Sequence, residues 1–534
     1  MSMMKKQFRR LRDHVGGVRG LVFILYTTFI FSAYFFVSMD IPGFIRWTVF
    51  ALILSAAGCP LLMRWLEKLE IPRGESRGIL SAGERRKDRA AGLLFYLVPF
   101  AVFLIKYIAC YPGGFSQDSV EQYTQALTGV YSDWHPFLQT ILSFKVPLAL
   151  TGGWTGSIIL FQAAFLSAAT GYALNVLREY TNRKYAFFAL AFIALNPNIS
   201  NIAMYPWKDV PFAIGAVVLT GYSLRIYYTG GAWLDRISNI ILFIAAAALT
   251  TLMRHNALLF TVPLAAAVAC HAGLKKSLVL FLGTALVVFG VKVPLSAALG
   301  VQDPGKRLAE TMGVPMNIIG AAARYAPETL DDETLEFVNR TAPEDVWGLY
   351  TYGDYNPVKW YGADNDVIEE YGAARIVSMA WRCLLRNPNS SLKALIRLTE
   401  PIYAVCSDYT FQRIPSVDPN RYGIVKQGVP ALQRINERYT DNANMIFPWL
   451  FDFPGAMHYA LIALILAKNR LKQGKTRKKL LFVLPMFVFN YGTTLLLTSA
   501  YDSHRFFFCS FMITPLLAAL VCDRRDYGRR TKEA

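Results

Sequence analysis

Apolar runs of about 20 residues recur along this chain, and charged or turn-forming residues close off each one. At 1.5 Å per residue, a helix of that length crosses the roughly 30 Å of a bilayer's hydrocarbon. Leu21–Met39, Leu93–Cys110 and Leu480–Leu497 are the clearest. The pattern predicts twelve crossings, near 20–39, 42–62, 91–110, 155–177, 184–199, 208–228, 238–253, 257–270, 276–298, 446–467, 480–499 and 506–521. Phe137–Leu150 is also apolar, but it is short and carries Lys145 and Pro147. It reads as a helix lying in the outer interface or dipping into it. The expected fold class is therefore an all-α polytopic membrane protein.

Charge orients these crossings. Lys and Arg cluster between the runs at Met1–Arg19, Arg64–Arg89, Arg178–Lys184, Lys275–Lys276, Lys468–Lys479 and Arg524–Lys532. The tract KNRLKQGKTRKK at 468–479 holds seven basic residues and no acid. Residues 301–445 instead carry 15 Lys/Arg against 19 Asp/Glu. Basic loops stay cytoplasmic, so both termini are expected inside a plasma membrane and 301–445 outside it. The formal charge of +18 then reports topology, and no nucleic-acid partner is expected. With 54% hydrophobic and 17% charged residues, the chain is poorer in charge than a soluble protein of this size. The basic start leads into a run too long for a cleavable signal, with no small-residue cleavage site behind it. The expected units are a two-helix extension (1–90), a transmembrane core with a first outer loop at 111–154 (91–300), a mainly helical outer domain (301–445) and three closing helices (446–534). Helical patterns at Asp331–Arg340, Val367–Asn387 and Leu392–Tyr403 support the outer domain. Cys383 and Cys406 both fall within it, and spacing leaves open whether they are bridged.

Charged groups are costly beside hydrocarbon, so those kept at helix ends call for a reason. Five groups qualify, all expected on the outer side. Asp118 opens the first, with Glu121, Asp133 and His135 following in the same loop. A partly desolvated carboxylate can act as a general base, and Asp118 with Asp133 could hold a divalent cation such as Mg or Mn. Helix capping competes as an explanation. The second is WKDVP, where Asp209 suits a helix N-terminus but Lys208 does not. An anionic ligand, or Asp209 itself, would account for Lys208. Arg254-His255-Asn256 and His504-Arg505, the latter beside Asp502, break apolar sequence at two further hairpins. Arg can bind phosphate bidentately there or merely snorkel to the interface. Lys292 near the end of its helix is the fifth. No Walker loop, dinucleotide GxGxxG, HExxH or CxxC pair occurs, which argues against an ATP-driven pump.

Several stretches resemble the GT-C class of membrane glycosyltransferases, in particular a bacterial branch of it. They are YPGGFSQDSVEQYTQAL with SDWHPFLQT, LNPNISNIAMYPWKDVPFAIG, ETMGVPMNIIGAAARYAPETL from Glu310, and YDSHRFFFCSFMITPLL. The resemblance implies a transferase that takes a monosaccharide from a polyprenyl-phosphate carrier on the outer face. It implies Asp118 as the base, because that residue follows the first helix of the shared core, and Asp209 as a second acidic contributor. Lys208, Arg254, His255, His504, Arg505 and His135 would then bind the donor phosphate, and a cell-envelope glycan or lipid would be the acceptor. Two extra leading helices, a first loop lacking an adjacent acidic pair, and a soluble segment placed before the last three helices depart from the class pattern. The missing pair leaves metal dependence open. A flippase of lipid-linked sugars would instead put charges near mid-membrane and repeat one half in the other; the sequence has neither. A non-catalytic assembly scaffold would tolerate replacement of Asp118 and Lys208.

Overall fold

The computed structural model describes residues 17–71, 82–305, 308–405, 414–468, 478–502 and 504–523. Among these residues regular structure is helical, and extended chain pairs only at isolated bridges. Eight helices are long and apolar enough to cross a membrane: Gly17–Ser38, Ile41–Lys68, Arg86–Cys110, Ser157–Tyr180, Asp209–Tyr228, His255–Ala272, Leu274–Ala298 and Arg505–Cys522.

The other four expected crossings coincide with shorter helices: Arg183–Leu195, Ile237–Leu252, Pro454–Lys468 and Leu484–Leu497. At 13 to 16 residues they rise only about 20–24 Å. Local chemistry sets two of these limits. Asn196 ends the first and caps the next, its side chain accepting from the amides of Asn198 and Ile199. Pro448 and Pro454 each start a new helix, so the crossing read as 446–467 begins eight residues later. Phe137–Leu150 is one apolar helix with a π-turn at Ile141–Lys145. Pro147 follows that turn, offering no amide to the preceding turn and crowding its carbonyl, which the wider turn relieves. Phe137, Leu138, Phe144 and Leu148 on this helix are buried.

One large apolar core unites the bundle. Ser157–Tyr180 packs against both Ala82–Cys110 and Asp209–Tyr228, and the last helix, Phe508–Cys522, leans on Asp209–Tyr228. Close approach is built in. A Cβ on Gly171 would sit 2.2 Å from the Tyr96 ring.

Residues 309–394 have a separate core, with Met316, Ile319, Phe337, Tyr355, Ile368 and Met379 fully buried. This inserted helical layer rests on the turn before the last helix. Tyr355 donates its amide to Ser499 (3.0 Å), Tyr501 to Gly353 (2.9 Å), and the Asn317 side chain to Ser499 (2.9 Å). The chain then returns as a strap, 414–429, along the first loop. Phe115 donates to Ser416 (2.9 Å), Asp418 to Phe115 (2.8 Å), Gln427 to Tyr111 (2.8 Å) and Val429 to Ile108 (3.2 Å), all through main-chain atoms. Cys383 is a buried free thiol, and Cys406 lies outside the described residues.

The helix contact at Gly171 generates a test. Gly171→Val forces a branched side chain into Tyr96 and should destabilise the purified protein by about 1–3 kcal/mol, read as a lower thermal midpoint in detergent. Gly58→Ala meets no neighbour within 4 Å and should leave the midpoint unchanged or raised.

Candidate active site

The first loop leaves the helix Ala82–Cys110 through Tyr111-Pro112-Gly113-Gly114, and both glycines are sterically required. A Cβ on Gly114 would lie 2.3 Å from the Tyr205 ring, and Gly113 has a φ of +121°. Tyr205 stacks on Trp207 at 4.0 Å, and Trp207 donates to Ser116 (2.8 Å), the cap of the helix Gln117–Thr128. Asp118 stands in the first turn of that helix, so the WKDVP segment directly braces the loop that carries it.

Asp118 meets residues far away in sequence. Arg505 donates to its Oδ2 at 3.0 Å, and His135 Nε2 lies 3.8 Å from its Oδ1. Lys208 Nζ donates to His135 Nδ1 at 3.3 Å. An ammonium can only donate, so His135 accepts at Nδ1 and its proton sits on Nε2, toward Asp118. Burial, with Lys208 beside it, pushes the imidazole down to about 3, so His135 is neutral at pH 7. Burial also pushes the Lys208 ammonium down to about 8, with Arg254 adding to the shift. Burial raises the Asp118 carboxyl, but Arg505, then His135 and Lys208, outweigh it and hold the group well below the usual carboxylate range.

Arg254 lies behind this group and is only 3% exposed. It is ion-paired to Asp209, donates to Asn256 (2.7 Å), and stacks near Phe506 (4.8 Å), Phe489 (5.1 Å) and Phe212 (5.8 Å). Arg505 lies 4.7 Å from the Trp207 ring. Stacking on aromatic faces and full pairing are what let a guanidinium stay charged in an apolar setting.

Two cavities meet here. A polar one of about 430 Å³ is lined by Asp118, His135, Lys208, Arg254, His255 and Arg505 on the bundle side. Glu310, Asn356, Lys359 and Trp360 line it from the inserted layer. An apolar groove of about 370 Å³ runs between Ile237–Leu252, Leu258–Ala272 and Leu274–Ala298, lined by residues such as Phe243, Leu264, Leu280 and Phe289. Arg254 and His255 belong to both walls.

The candidate residues therefore divide. Asp118, His135, Lys208, Arg254, His255 and Arg505 share the polar cavity. Asp209 does not line it: the carboxylate is 2% exposed and serves as the counter-ion of Arg254. Lys208 is hydrogen-bonded to His135, while Asp209 and Asp118 both favour its charge from a distance. Asp133 lines the apolar groove, where its Oδ2 accepts from Lys292 (3.0 Å) and its backbone oxygen lies 3.0 Å from His255 Nε2. Asp118 and Asp133 thus line different cavities and each binds a cationic side chain, which does not fit a shared metal. Among the described residues no three His, Cys, Asp or Glu groups are placed to hold an ion. His504 begins the turn His504–Phe507, but its side chain lies outside the described residues. The inserted-layer wall, Glu310, Asn356, Lys359 and Trp360, escaped sequence reading, since none of these residues interrupts an apolar run. No family model matches this chain, and neither does any curated protein or solved structure.

The Arg254–Asp209 pair can be tested by its removal. Asp209→Ala leaves a buried guanidinium without its carboxylate and should destabilise the protein by about 3–5 kcal/mol. Asp209→Ala combined with Arg254→Met should recover most of that loss in thermal unfolding, because no uncompensated charge remains.

Proposed function

We propose that this chain is a GT-C-like membrane glycosyltransferase that moves a monosaccharide from a polyprenyl-phosphate carrier to a cell-envelope acceptor. One observation carries the reading: a cation-lined polar cavity and an apolar groove meet at Arg254 and His255. A ligand that is anionic at one end and a long hydrocarbon at the other fits both at once. A soluble sugar nucleotide would leave the groove unused, and a plain apolar lipid would offer nothing to Lys208, whose side-chain partner is the neutral His135, or to the paired guanidinium groups beside it. On this reading the four shorter helices complete twelve crossings of a bacterial plasma membrane. Both termini are cytoplasmic and the cavity opens outside.

The chemistry follows from the pairing. The donor phosphate docks between Lys208, Arg254 and Arg505, whose charge-assisted bonds strengthen as negative charge builds on the leaving oxygen. Arg505 is also the partner that holds the Asp118 proton affinity low. When the phosphate engages that guanidinium, Asp118 becomes a better base. An acceptor hydroxyl then gives its proton to Asp118, its oxygen bonds to the sugar's anomeric carbon, and the bond from that carbon to the phosphate oxygen breaks. Polyprenyl phosphate leaves, and one displacement inverts the anomeric centre. Neutral His135 accepts from Lys208 and so helps keep that ammonium aimed at the phosphate.

Asp118→Asn keeps the side chain's size and removes the base, so transfer should fall about 10²–10⁴-fold with donor binding intact. Mass analysis of envelope glycans from cells carrying the variant and from the parent reads this. Unchanged glycans at normal protein level would end the enzymatic reading and favour a scaffold. A second test uses pH. The Lys208 ammonium in the ligand-free protein loses its proton as pH rises through about 8. Affinity for a polyprenyl phosphate should therefore drop about tenfold between pH 7 and 9, the worth of one charge-assisted bond. Lys208→Arg, which stays charged, should flatten that dependence.

A further inference from the structure

The two walls of the polar cavity differ in chemistry. The bundle wall supplies the basic side chains together with Asp118. The wall from the inserted layer supplies Trp360, the Glu310–Lys359 ion pair (3.0 Å), and Asn356, whose Oδ1 accepts from Ser499 at 2.6 Å. This wall carries no net charge: the Lys359 ammonium is committed to Glu310, with its side chain only 9% exposed, whereas that of Glu310 is 39% exposed. Trp360 lines the cavity and is 66% exposed, in a layer that buries Trp347, Tyr350 and Tyr355 almost completely; the Lys359 ammonium lies over its ring at 5.6 Å, which leaves the opposite face for a ligand.

An open indole face beside an exposed carboxylate and an amide matches one ligand chemistry well. The C–H face of a sugar ring is apolar and lies flat on an aromatic face, while its hydroxyls donate to carboxylate and amide oxygens. A second phosphate finds no uncommitted cation on this wall. A sugar bearing its own carboxylate would face both Glu310 and Asp118. We propose that the inserted layer is the sugar-reading wall of the cavity, with Trp360 as the stacking platform and Glu310 as the hydroxyl acceptor for a neutral, hydroxyl-rich hexose. The assignment rests on the polyprenyl-phosphate donor reading, adding the class of sugar and the residues that select it. Specificity and phosphate binding then lie on opposite walls, contributed by different parts of the chain.

Binding to the full-length protein in lipid nanodiscs tests this, with four probes: bare undecaprenyl phosphate and its glucosyl, galactosyl and glucuronosyl forms. The wild type should bind a neutral-hexose form about tenfold more tightly than the bare carrier, the worth of one good stack or hydrogen bond, and the glucuronosyl form no better than bare. Trp360→Ala and Glu310→Gln should each erase most of that margin while leaving affinity for the bare carrier within about twofold. A margin that survives both substitutions, a preference for the glucuronosyl form, or equal losses for bare and glycosylated carriers would overturn the assignment. So would binding of the bare carrier with no margin for any neutral sugar, and in that case the donor reading stands. Failure of the wild type to bind even the bare carrier would remove both.

Discussion

A charge next to hydrocarbon persists only if its field is answered locally, and Arg254 shows how much protein that takes. Asp209 neutralises it, Asn256 takes a second donor, and three phenylalanine rings surround it. Those partners come from the helix Asp209–Tyr228, the turn at 254–257, the helix Leu484–Leu497 and the turn before the last helix. Fixing one guanidinium therefore fixes four segments around it. Because Arg254 borders both cavities, the same pairing sets where the polar space ends and the apolar groove begins.

Asp118 is coupled to the far end of the chain through Arg505, 387 residues away. Arg505 is itself placed by the turn that seats the inserted layer, where Tyr355 and Tyr501 exchange main-chain hydrogen bonds with Ser499 and Gly353. Loop, last helix and inserted layer thus share one small set of contacts. The neutral state of His135 belongs to the same arrangement. Burial disfavours its charged form, and Lys208 and Arg505 beside it would repel a further cation.

What the sequence made legible follows from what its physics acts on locally. Runs of 20 apolar residues mark the long helices because hydrocarbon thickness selects for length, and eight helices of that kind are present. The ends of the shorter ones were less legible: asparagine and proline punctuation shortens Arg183–Leu195 and Pro454–Lys468, and Leu480–Leu497, one of the clearest runs, opens on a 3-10 turn before the helix Leu484–Leu497. Asp118, Lys208, Arg254 and Arg505 stood out because each interrupts apolar sequence at a cost. Their pairings did not, for partners 45, 73 and 387 residues apart leave no trace in local pattern. Asp209 was the ambiguous case: an acid in a first helical turn looks the same whether it faces a cavity or a buried cation. Trp360 gave no signal at all, because single exposed aromatics are ordinary on protein surfaces.

The strap at 414–429 holds the first loop through three main-chain hydrogen bonds, at Phe115 twice and at Tyr111, and the end of the preceding helix through a fourth at Ile108. Backbone pairing is indifferent to side-chain identity but strict about spacing. The strap's residue count is fixed for that reason, and a few side chains are fixed as well: Asp418 accepts from the Gln117 amide, and a Cβ on Gly428 would run into the Ala109 carbonyl. A single inserted or deleted residue there would slip the register of the loop and carry Asp118 away from Arg505.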